Sequence, residues 1–253
     1  IFPWNHANCG DLNLSGERRP QSYLRETLWS DAPVSHIVVT PPVPSFPLNP
    51  DKADWSVWDF PDVVDHWNFP GYEGKKMTVS VYSNCEQVEL FLNGESLGKQ
   101  ENTADKKNTL VWEVPYAHGI LKAISYNKGS EVGTATLESA GKVEKIRLSA
   151  DRTEIVADGN DLSYITLELV DSKGIRNQLA EELVEFSIEG DATIEGVGNA
   201  NPMSIESFVA NSRKTWRGSN LLVVRSGKSS GRIIVTAKVK ALPVASITIT
   251  QKK

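Results

Sequence analysis

Three tryptophans and two aspartates stand close together in one stretch of the chain, where Trp55, Trp58 and Trp67 flank Asp62 and Asp65. An indole ring offers an apolar face to the C–H face of a pyranose, and its N–H donates a hydrogen bond. Carboxylates flanked by tryptophans are typical of sugar sites, so the three tryptophans are candidates for glycan stacking. The same residues also fit a plainer interpretation, which we favour. The rings then anchor one domain to another, and the aspartates are turn and cap residues.

The other chemistry-bearing residues lack the spacing that metal, phosphate or nucleophile sites need. Three histidines show no metal-ligand spacing, and four aspartates do not follow the pattern of a calcium loop. These residues are His36, His66, His118, Asp151, Asp158, Asp161 and Asp171. The run at 196–201 is not a phosphate loop, and neither a nucleophile elbow nor a His-Glu-x-x-His or Cys-x-x-Cys motif is expected. We therefore predict no metal, no cofactor and no self-contained catalytic site.

The composition is that of a globular chain with a mildly acidic balance. Of the 253 residues, 40% are hydrophobic and 23% are charged, which is typical of folded proteins. The 27 basic and 32 acidic side chains give a net charge of −5. This balance argues against a nucleic-acid partner, because phosphate binding needs a basic face. No apolar run approaches the roughly 20 residues of a membrane span. For Cys9 and Cys85 we favour free thiols, and a single bridge between them stays open.

One helix is predicted near the start of the chain, over residues 19–29. Pro20 suits a first helical turn, and Tyr23, Leu24 and Leu28 form an apolar stripe. A helix this short does not fold alone. Residues 1–31 therefore look like the last loop and helix of a larger upstream domain. Residues 36–50 follow with one short strand and a proline-rich connector.

From residue 77 onward the hydrophobic pattern has the period of β-strands. Residues 87–98 read as a hairpin with Asn93-Gly94 as its turn, and residues 120–137 read as a second hairpin. Similar strands continue after residue 141. Short strands joined by tight turns are typical of antiparallel sandwiches. We predict an all-β fold with one immunoglobulin-like sandwich over 32–140 and a second over 141–253.

Three segments resemble parts of glycoside hydrolase family 2. Residues 2–16 and 19–23 resemble the segment after the eighth barrel strand of that family, in particular of its β-galactosidase-like members from gut Bacteroidetes. Residues 64–75 and 79–94 are similar to the sandwich domain that follows the barrel. Residues 149–155 and 157–161 resemble the bacterial immunoglobulin-like domain that often ends these proteins. The resemblance implies that residues 1–31 are the remnant of a TIM barrel.

The resemblance also implies a function for the parent protein. The family consists of retaining glycosidases, whose two catalytic glutamates lie on barrel strands before the point where this chain starts. A retaining mechanism needs two carboxyl groups about 5 Å apart, so the chain is expected to carry no catalytic residue. Its partners would be the upstream TIM-barrel domain and a carbohydrate substrate. Three alternatives stay open: β-glucuronidase as the parent activity, a stand-alone carbohydrate-binding module, and an adhesive tandem of immunoglobulin-like domains.

Trp4, Asn5 and His6 are the residues that the resemblance places nearest to substrate. They follow the eighth barrel strand, and the loops at the carboxyl ends of barrel strands line the active site. Ordinary loop packing is the alternative role for these three residues. Family habit leads us to expect a periplasmic, cell-surface or secreted location.

Overall fold

The computed structural model describes residues 3–5, 10–46 and 60–253. Within these ranges it has one α-helix, α1 at Pro20–Trp29, one 3-10 turn at Ala104–Lys106, and sixteen strands. The strands are β1 Ser35–Val39, β2 Lys76–Ser83, β3 Gln87–Leu92, β4 Glu95–Glu101, β5 Thr109–Pro115, β6 Ile120–Asn127, β7 Ser130–Glu138, β8 Lys145–Ala150, β9 Glu154–Val156, β10 Leu162–Val170, β11 Leu183–Glu189, β12 Ala192–Gly198, β13 Ser212–Lys214, β14 Ser219–Ser226, β15 Gly231–Val239 and β16 Ala245–Lys252. The predicted all-β fold is confirmed.

Helix α1 starts as its local sequence predicts, but it packs through polar residues. Pro20 occupies the first turn, where its fixed φ is suited to the helix and its missing N–H costs nothing. The buried residues of α1 are polar, namely Gln21 and Thr27. Asn108 donates a hydrogen bond of 3.0 Å from Nδ2 to Oγ1 of Thr27. The helix is therefore tied to the strands that follow it by polar contacts.

The apolar side chains of α1 differ from the expectation. Leu28, part of the predicted stripe, is 64% exposed, and Trp29 is 84% exposed. Tyr23, by contrast, stacks on the ring of His36 at a centroid distance of 3.6 Å. The stripe is thus only partly used within the described residues, and the end of the helix leaves a large apolar surface uncovered.

Two antiparallel sheets form the first sandwich, with strand orders β1-β2-β5 and β4-β3-β6-β7. Alternate residues of β2 and β5 point into the core, and Val79, Val81 and Leu110 have no exposed surface. The predicted hairpin between β3 and β4 is present. Its turn residues Asn93 and Gly94 have φ values of 52° and 87°, as a tight hairpin turn requires.

The second sandwich has a four-stranded and a five-stranded sheet, with strand orders β12-β14-β10-β8 and β13-β11-β15-β16-β9. Its core includes Ile165, Leu167, Leu222 and Ile249, none of which has exposed surface. Strand β9 pairs with β16 in parallel, which joins the start of this sandwich to its last strand. The other strand pairings of this sandwich are antiparallel.

The chain divides into two compact units. The described residues of one unit fall within Cys9–Asn13 and Glu17–Ser139, and they include α1 and the first sandwich. Those of the other fall within Ile1–Asn8, Leu14–Gly16 and Ala140–Lys253, and they include the second sandwich. Cys85 is a buried free cysteine, whereas Cys9 lies outside the described residues. In the ranges given above, no helix has the length and apolarity to cross a bilayer.

Candidate functional site

Trp67 lies inside the first sandwich. Its exposed fraction is 0%, and its Nε1 donates a hydrogen bond of 2.8 Å to the carbonyl oxygen of Ala117. The indole meets the ring of Tyr116 edge-on at a centroid distance of 4.9 Å. A ring without exposed surface has no face to offer to a sugar, so Trp67 is corrected from a stacking candidate to a core residue. The other two candidates, Trp55 and Trp58, lie outside the described residues.

The aspartates beside Trp67 have structural partners. Asp62 accepts a hydrogen bond of 2.6 Å on Oδ2 from the backbone N–H of Ser45. The charge of Asp65 acts on His36, where it partly opposes the lowering of the histidine pKa by burial. Asp62 thus bonds a backbone group that is distant in the chain, and the turn or cap role of these aspartates stays a prediction.

His36 is the most strongly perturbed titratable group between α1 and the first sandwich. Its ring stacks on the ring of Tyr23. The guanidinium of Arg18 lies 4.0 Å from the centroid of the same tyrosine ring. Burial is the main cause that lowers the pKa of His36 to about 4, with Arg18 adding to it and Asp65 and Glu26 opposing it. Nε2 of His36 is buried and makes no hydrogen bond to any described residue. His36 is therefore a neutral packing residue at neutral pH.

Four aspartates of the second sandwich act as turn-holding groups. Asp151, Asp158, Asp161 and Asp171 each accept hydrogen bonds from backbone N–H groups. Asp171 is only 4% exposed. Burial raises the pKa of Asp171, but backbone N–H groups, Gly141 among them, outweigh it and keep that pKa below its usual value. No group of three His, Cys, Asp or Glu side chains in the described ranges is arranged to hold a metal ion.

The string Gly-x-Ser-x-Gly occurs twice, at 94–98 and 227–231. The first lies at the β3–β4 hairpin, where Ser96 donates a hydrogen bond of 2.6 Å from Oγ to Glu89. The second lies in the connection between β14 and β15, two strands that belong to different sheets. A nucleophile elbow needs a sharp turn from a strand into a helix. Both strings join two strands instead, so neither serine is placed as a nucleophile.

Asn5 contacts a loop of the second sandwich, which we call the 201–209 loop after its residues. The backbone N–H of Asn5 donates to the carbonyl oxygen of Pro202 at 2.7 Å. Nδ2 of the same residue donates to the carbonyl oxygen of Ser204 at 3.1 Å. Trp4 is 37% exposed, and His6 lies outside the described residues. Asn5 is thus held against a segment that sequence reasoning did not single out.

Arg213 organises the 201–209 loop from within. Its side chain has no exposed surface, and Nη1 donates to the carbonyl oxygens of Val197, Glu206 and Ser207 at 3.1, 3.2 and 3.3 Å. Nη2 donates to Oγ of Ser204 at 3.0 Å. A buried guanidinium is costly unless its donors are satisfied. Here Nη1 and Nη2 have acceptors in the loop and in β12, whereas Nε is buried and has no partner among the described residues. The hydrogen bonds from the buried Arg213 therefore hold the loop in place.

The 201–209 loop packs against two glycines of β12. A Cβ atom on Gly196 would lie 3.0 Å from the carbonyl oxygen of Phe208, and one on Gly198 would lie 3.9 Å from its ring. The backbone N–H of Val197 donates to the same carbonyl at 2.9 Å. This explains the run at 196–201, which sequence reasoning excluded only as a phosphate loop. The signal for the loop was a group of apolar residues outside any alternating pattern, namely Ile205, Phe208 and Val209.

Two open clefts lie on the outer face of the β12-β14-β10-β8 sheet, with Leu14 lining both. One, of about 380 Å³, is bordered by Phe208 and by Glu195 and Arg225, which form an ion pair of 2.7 Å. The other, of about 640 Å³, has Tyr164 and Asp151 in its lining. Each cleft has one carboxylate in its described lining, whereas retaining hydrolysis needs two. Both clefts are open and are lined by described residues of this sheet and of the segment around Leu14.

Family models match both sandwiches. Residues 146–248 match the model described as glycoside hydrolase family 2 C-terminal domain 5. Residues 74–133 match DUF4982, a domain of unknown function.

The chain is also similar to known proteins of Bacteroides and a related genus. A crystal structure of a glycosyl hydrolase family 2 member from Bacteroides cellulosilyticus is 99% identical, with a TM-score of 0.99, over 100% of this chain and 33% of that one. Beta-galactosidase BoGH2A from Bacteroides ovatus is 31% identical over 100% of this chain and 26% of its own length. A beta-glucuronidase from Formosa agariphila is 30% identical over 78% of this chain and 20% of its own length. The chain thus spans a third or less of each.

Proposed function

The chain belongs to glycoside hydrolase family 2, matching the C-terminal part of its relatives, and we propose that it is the non-catalytic C-terminal portion of a retaining β-galactosidase-like enzyme. The galactosidase assignment is supported by the similarity to the Bacteroides ovatus beta-galactosidase over the whole chain. The non-catalytic role is supported by the two clefts, each with a single described carboxylate. The catalytic glutamates would lie on an upstream TIM barrel.

The observation that carries the bracing role is the uncovered apolar end of α1. Leu28 and Trp29 are 64% and 84% exposed, although a tryptophan side chain is among the most favourable to bury. A large exposed apolar patch marks a surface that meets another protein surface. We assign this surface to the upstream barrel of the same polypeptide, against which this chain would act as a brace.

The stereochemistry of hydrolysis tests the reaction type. The complete polypeptide that contains this chain is incubated with an aryl β-galactoside, and the first-formed sugar anomer is followed by proton NMR. We expect the β-anomer to appear first, because retention passes through two displacements. First appearance of the α-anomer would contradict the retaining assignment. The intact mass of the natural polypeptide, expected several-fold above 27.8 kDa, tests the upstream domain.

A second parent activity is β-glucuronidase. It is favoured by the beta-glucuronidase from Formosa agariphila, which is 30% identical to the chain. The two activities separate in one comparison of kcat/KM between an aryl β-galactoside and the corresponding β-glucuronide. A higher value for the glucuronide would replace the galactosidase assignment.

A stand-alone carbohydrate-binding role is the remaining alternative. The burial of Trp67 weighs against it, because a binding module needs exposed rings. Titration of the 253-residue chain with β-galactooligosaccharides by calorimetry tests it, and we expect no heat of binding.

We further propose that the parent protein is exported to the periplasm, the cell surface or the medium, as the family resemblance suggests. Fractionation of the source cells followed by immunodetection with an antibody against this chain tests the location. Recovery in the cytoplasmic fraction would contradict export.

A further inference from the structure

The 201–209 loop is bonded to the segment that would follow the eighth barrel strand in the parent enzyme. Asn5 donates two hydrogen bonds to it, from its backbone N–H to Pro202 and from Nδ2 to Ser204. In a TIM barrel, the loops at the carboxyl ends of the strands surround the active site. In the parent enzyme, a loop bonded to one of them would stand at the mouth of the same cleft, although it belongs to the last sandwich.

The loop holds a fixed shape at this position. Arg213 is fully buried beneath the loop. It donates to the carbonyl oxygens of Glu206 and Ser207 in the loop and of Val197 in β12. The guanidinium also lies 4.3 Å from the ring centroid of Phe208. Glu206 accepts a hydrogen bond of 3.0 Å on Oε1 from the backbone N–H of Lys214. The loop thus has a rigid base, and its only carboxylate is engaged at that base.

The outward surface of the loop is apolar. Ile205 is 76% exposed, Val209 is 83% exposed and Phe208 is 45% exposed. Exposed aliphatic side chains on a rigid loop are typical of a contact surface. The glycone of a glycoside is bound through its hydroxyl groups and needs polar partners, which these side chains do not supply. The leaving group, at the outer end of the cleft, is the part of the substrate that an apolar rim can contact.

We propose that the 201–209 loop forms the leaving-group side of the substrate cleft, with Ile205 and Val209 contacting the aglycone of a β-glycoside. This inference rests on the proposed function, because it needs the upstream barrel to supply the catalytic groups. The loop would favour aglycones with an apolar face, such as aryl groups, over small alkyl groups. The last sandwich would then take part in substrate selection as well as in bracing.

The test compares two substrates in the complete polypeptide. The ratio of kcat/KM for p-nitrophenyl β-galactoside to that for methyl β-galactoside is measured for the unchanged protein and for the double variant Ile205→Ser/Val209→Ser. We expect this ratio to fall about tenfold, since lost apolar contact to a substrate group costs about that factor. Val244→Ser is the matched control, because Val244 is 56% exposed in the same sandwich. It should leave the ratio unchanged.

Three other results overturn the inference. Unchanged kcat/KM values for both substrates in the double variant mean that the loop does not contact the leaving group. An equal loss with both substrates, which also leaves the ratio unchanged, means that the loop acts only on the structure of the cleft. If the unchanged polypeptide hydrolyses neither β-galactosides nor β-glucuronides, the proposed function fails and the inference fails with it. The first two results leave the proposed function intact, so the two failures are distinguishable.

Discussion

At the residue scale, many polar side chains of the described chain are used to hold turns and loops in place. Asp171 accepts backbone hydrogen bonds from Gly141, Lys173 and Ile175, and Arg213 donates to the 201–209 loop. Buried polar groups are stable only when hydrogen-bonded. Such residues look like catalytic or metal-binding candidates in a sequence because the same side-chain types serve both purposes.

Asp171→Ala should lower the free energy of unfolding by about 2 kcal/mol, because it leaves buried backbone N–H groups without an acceptor. Urea denaturation of the 253-residue chain measures the change. Glu185→Gln, at an exposed position of β11, is the control and should have no effect. Equal stability of the two variants would show that the turn does not depend on this carboxylate.

His36 predicts a pH dependence with a defined sign. Burial lowers its pKa from 6.5 to about 4, so protons bind more tightly to the unfolded chain. The stabilisation is complete above pH 6.5 and is lost as the pH falls towards about 4, by at most about 3 kcal/mol. Asp65, Arg18 and Glu26 are the charged groups that act on this ring.

His36→Phe removes the titration and keeps a ring against Tyr23. The loss of stability between pH 7 and pH 4 should therefore be smaller in this variant than in the unchanged chain, as measured by urea denaturation at each pH. An NMR titration of His36 with a midpoint near 6.5 would contradict the account directly.

At the scale of elements, strands were the easiest features to predict and the contacts between distant segments the hardest. The hairpin of β3 and β4 was predicted because alternation and an Asn-Gly turn are local signals. For Trp67 a buried anchor between domains was favoured over a stacking ring, but its place in the core of one sandwich was not predicted, because composition alone does not tell these roles apart. The pairing of β9 with β16 and the contact of Asn5 with the 201–209 loop join segments far apart in the chain, and no local pattern encodes them.

The packing of the 201–209 loop on strand β12 can be tested at Gly196. Gly196→Ala places a Cβ atom 3.0 Å from the carbonyl oxygen of Phe208, so the loop must shift. We expect a loss of about 1 kcal/mol in the free energy of unfolding and faster amide exchange at Val197, whose N–H bonds that carbonyl. Gly231→Ala, where a Cβ atom would meet nothing within 4 Å, is the control. The same amide exchange rate at Val197 in both variants would contradict packing of the loop on β12.

A substitution at the end of helix α1 should affect the stability of the complete polypeptide and not that of this chain alone. Trp29→Ser should change the stability of the 253-residue chain by no more than about 0.5 kcal/mol, because the side chain is already exposed. In the complete polypeptide the same substitution should lower the thermal midpoint, because the upstream domain would cover that side chain. An unchanged midpoint there would remove the support that α1 gives to the bracing role.

At the scale of the whole molecule, the two sandwiches account for the fold, and the membership of glycoside hydrolase family 2 gives it a context. The resemblance was readable from the sequence because its motifs, such as residues 64–75, are continuous. The role proposed for the 201–209 loop was not readable, because the proposal depends on a buried arginine and on a contact with Asn5. The all-β fold of the chain was thus predicted more fully than the contacts of this loop.

The division of labour between this chain and the rest of the parent protein is the central claim, and one rate comparison tests it. Hydrolysis of p-nitrophenyl β-galactoside is measured with the complete polypeptide and with the 253-residue chain at equal molar concentration. We predict turnover by the complete polypeptide and no rate above buffer for the chain alone. Turnover by the chain alone would contradict the account, because it would require a catalytic site within these residues.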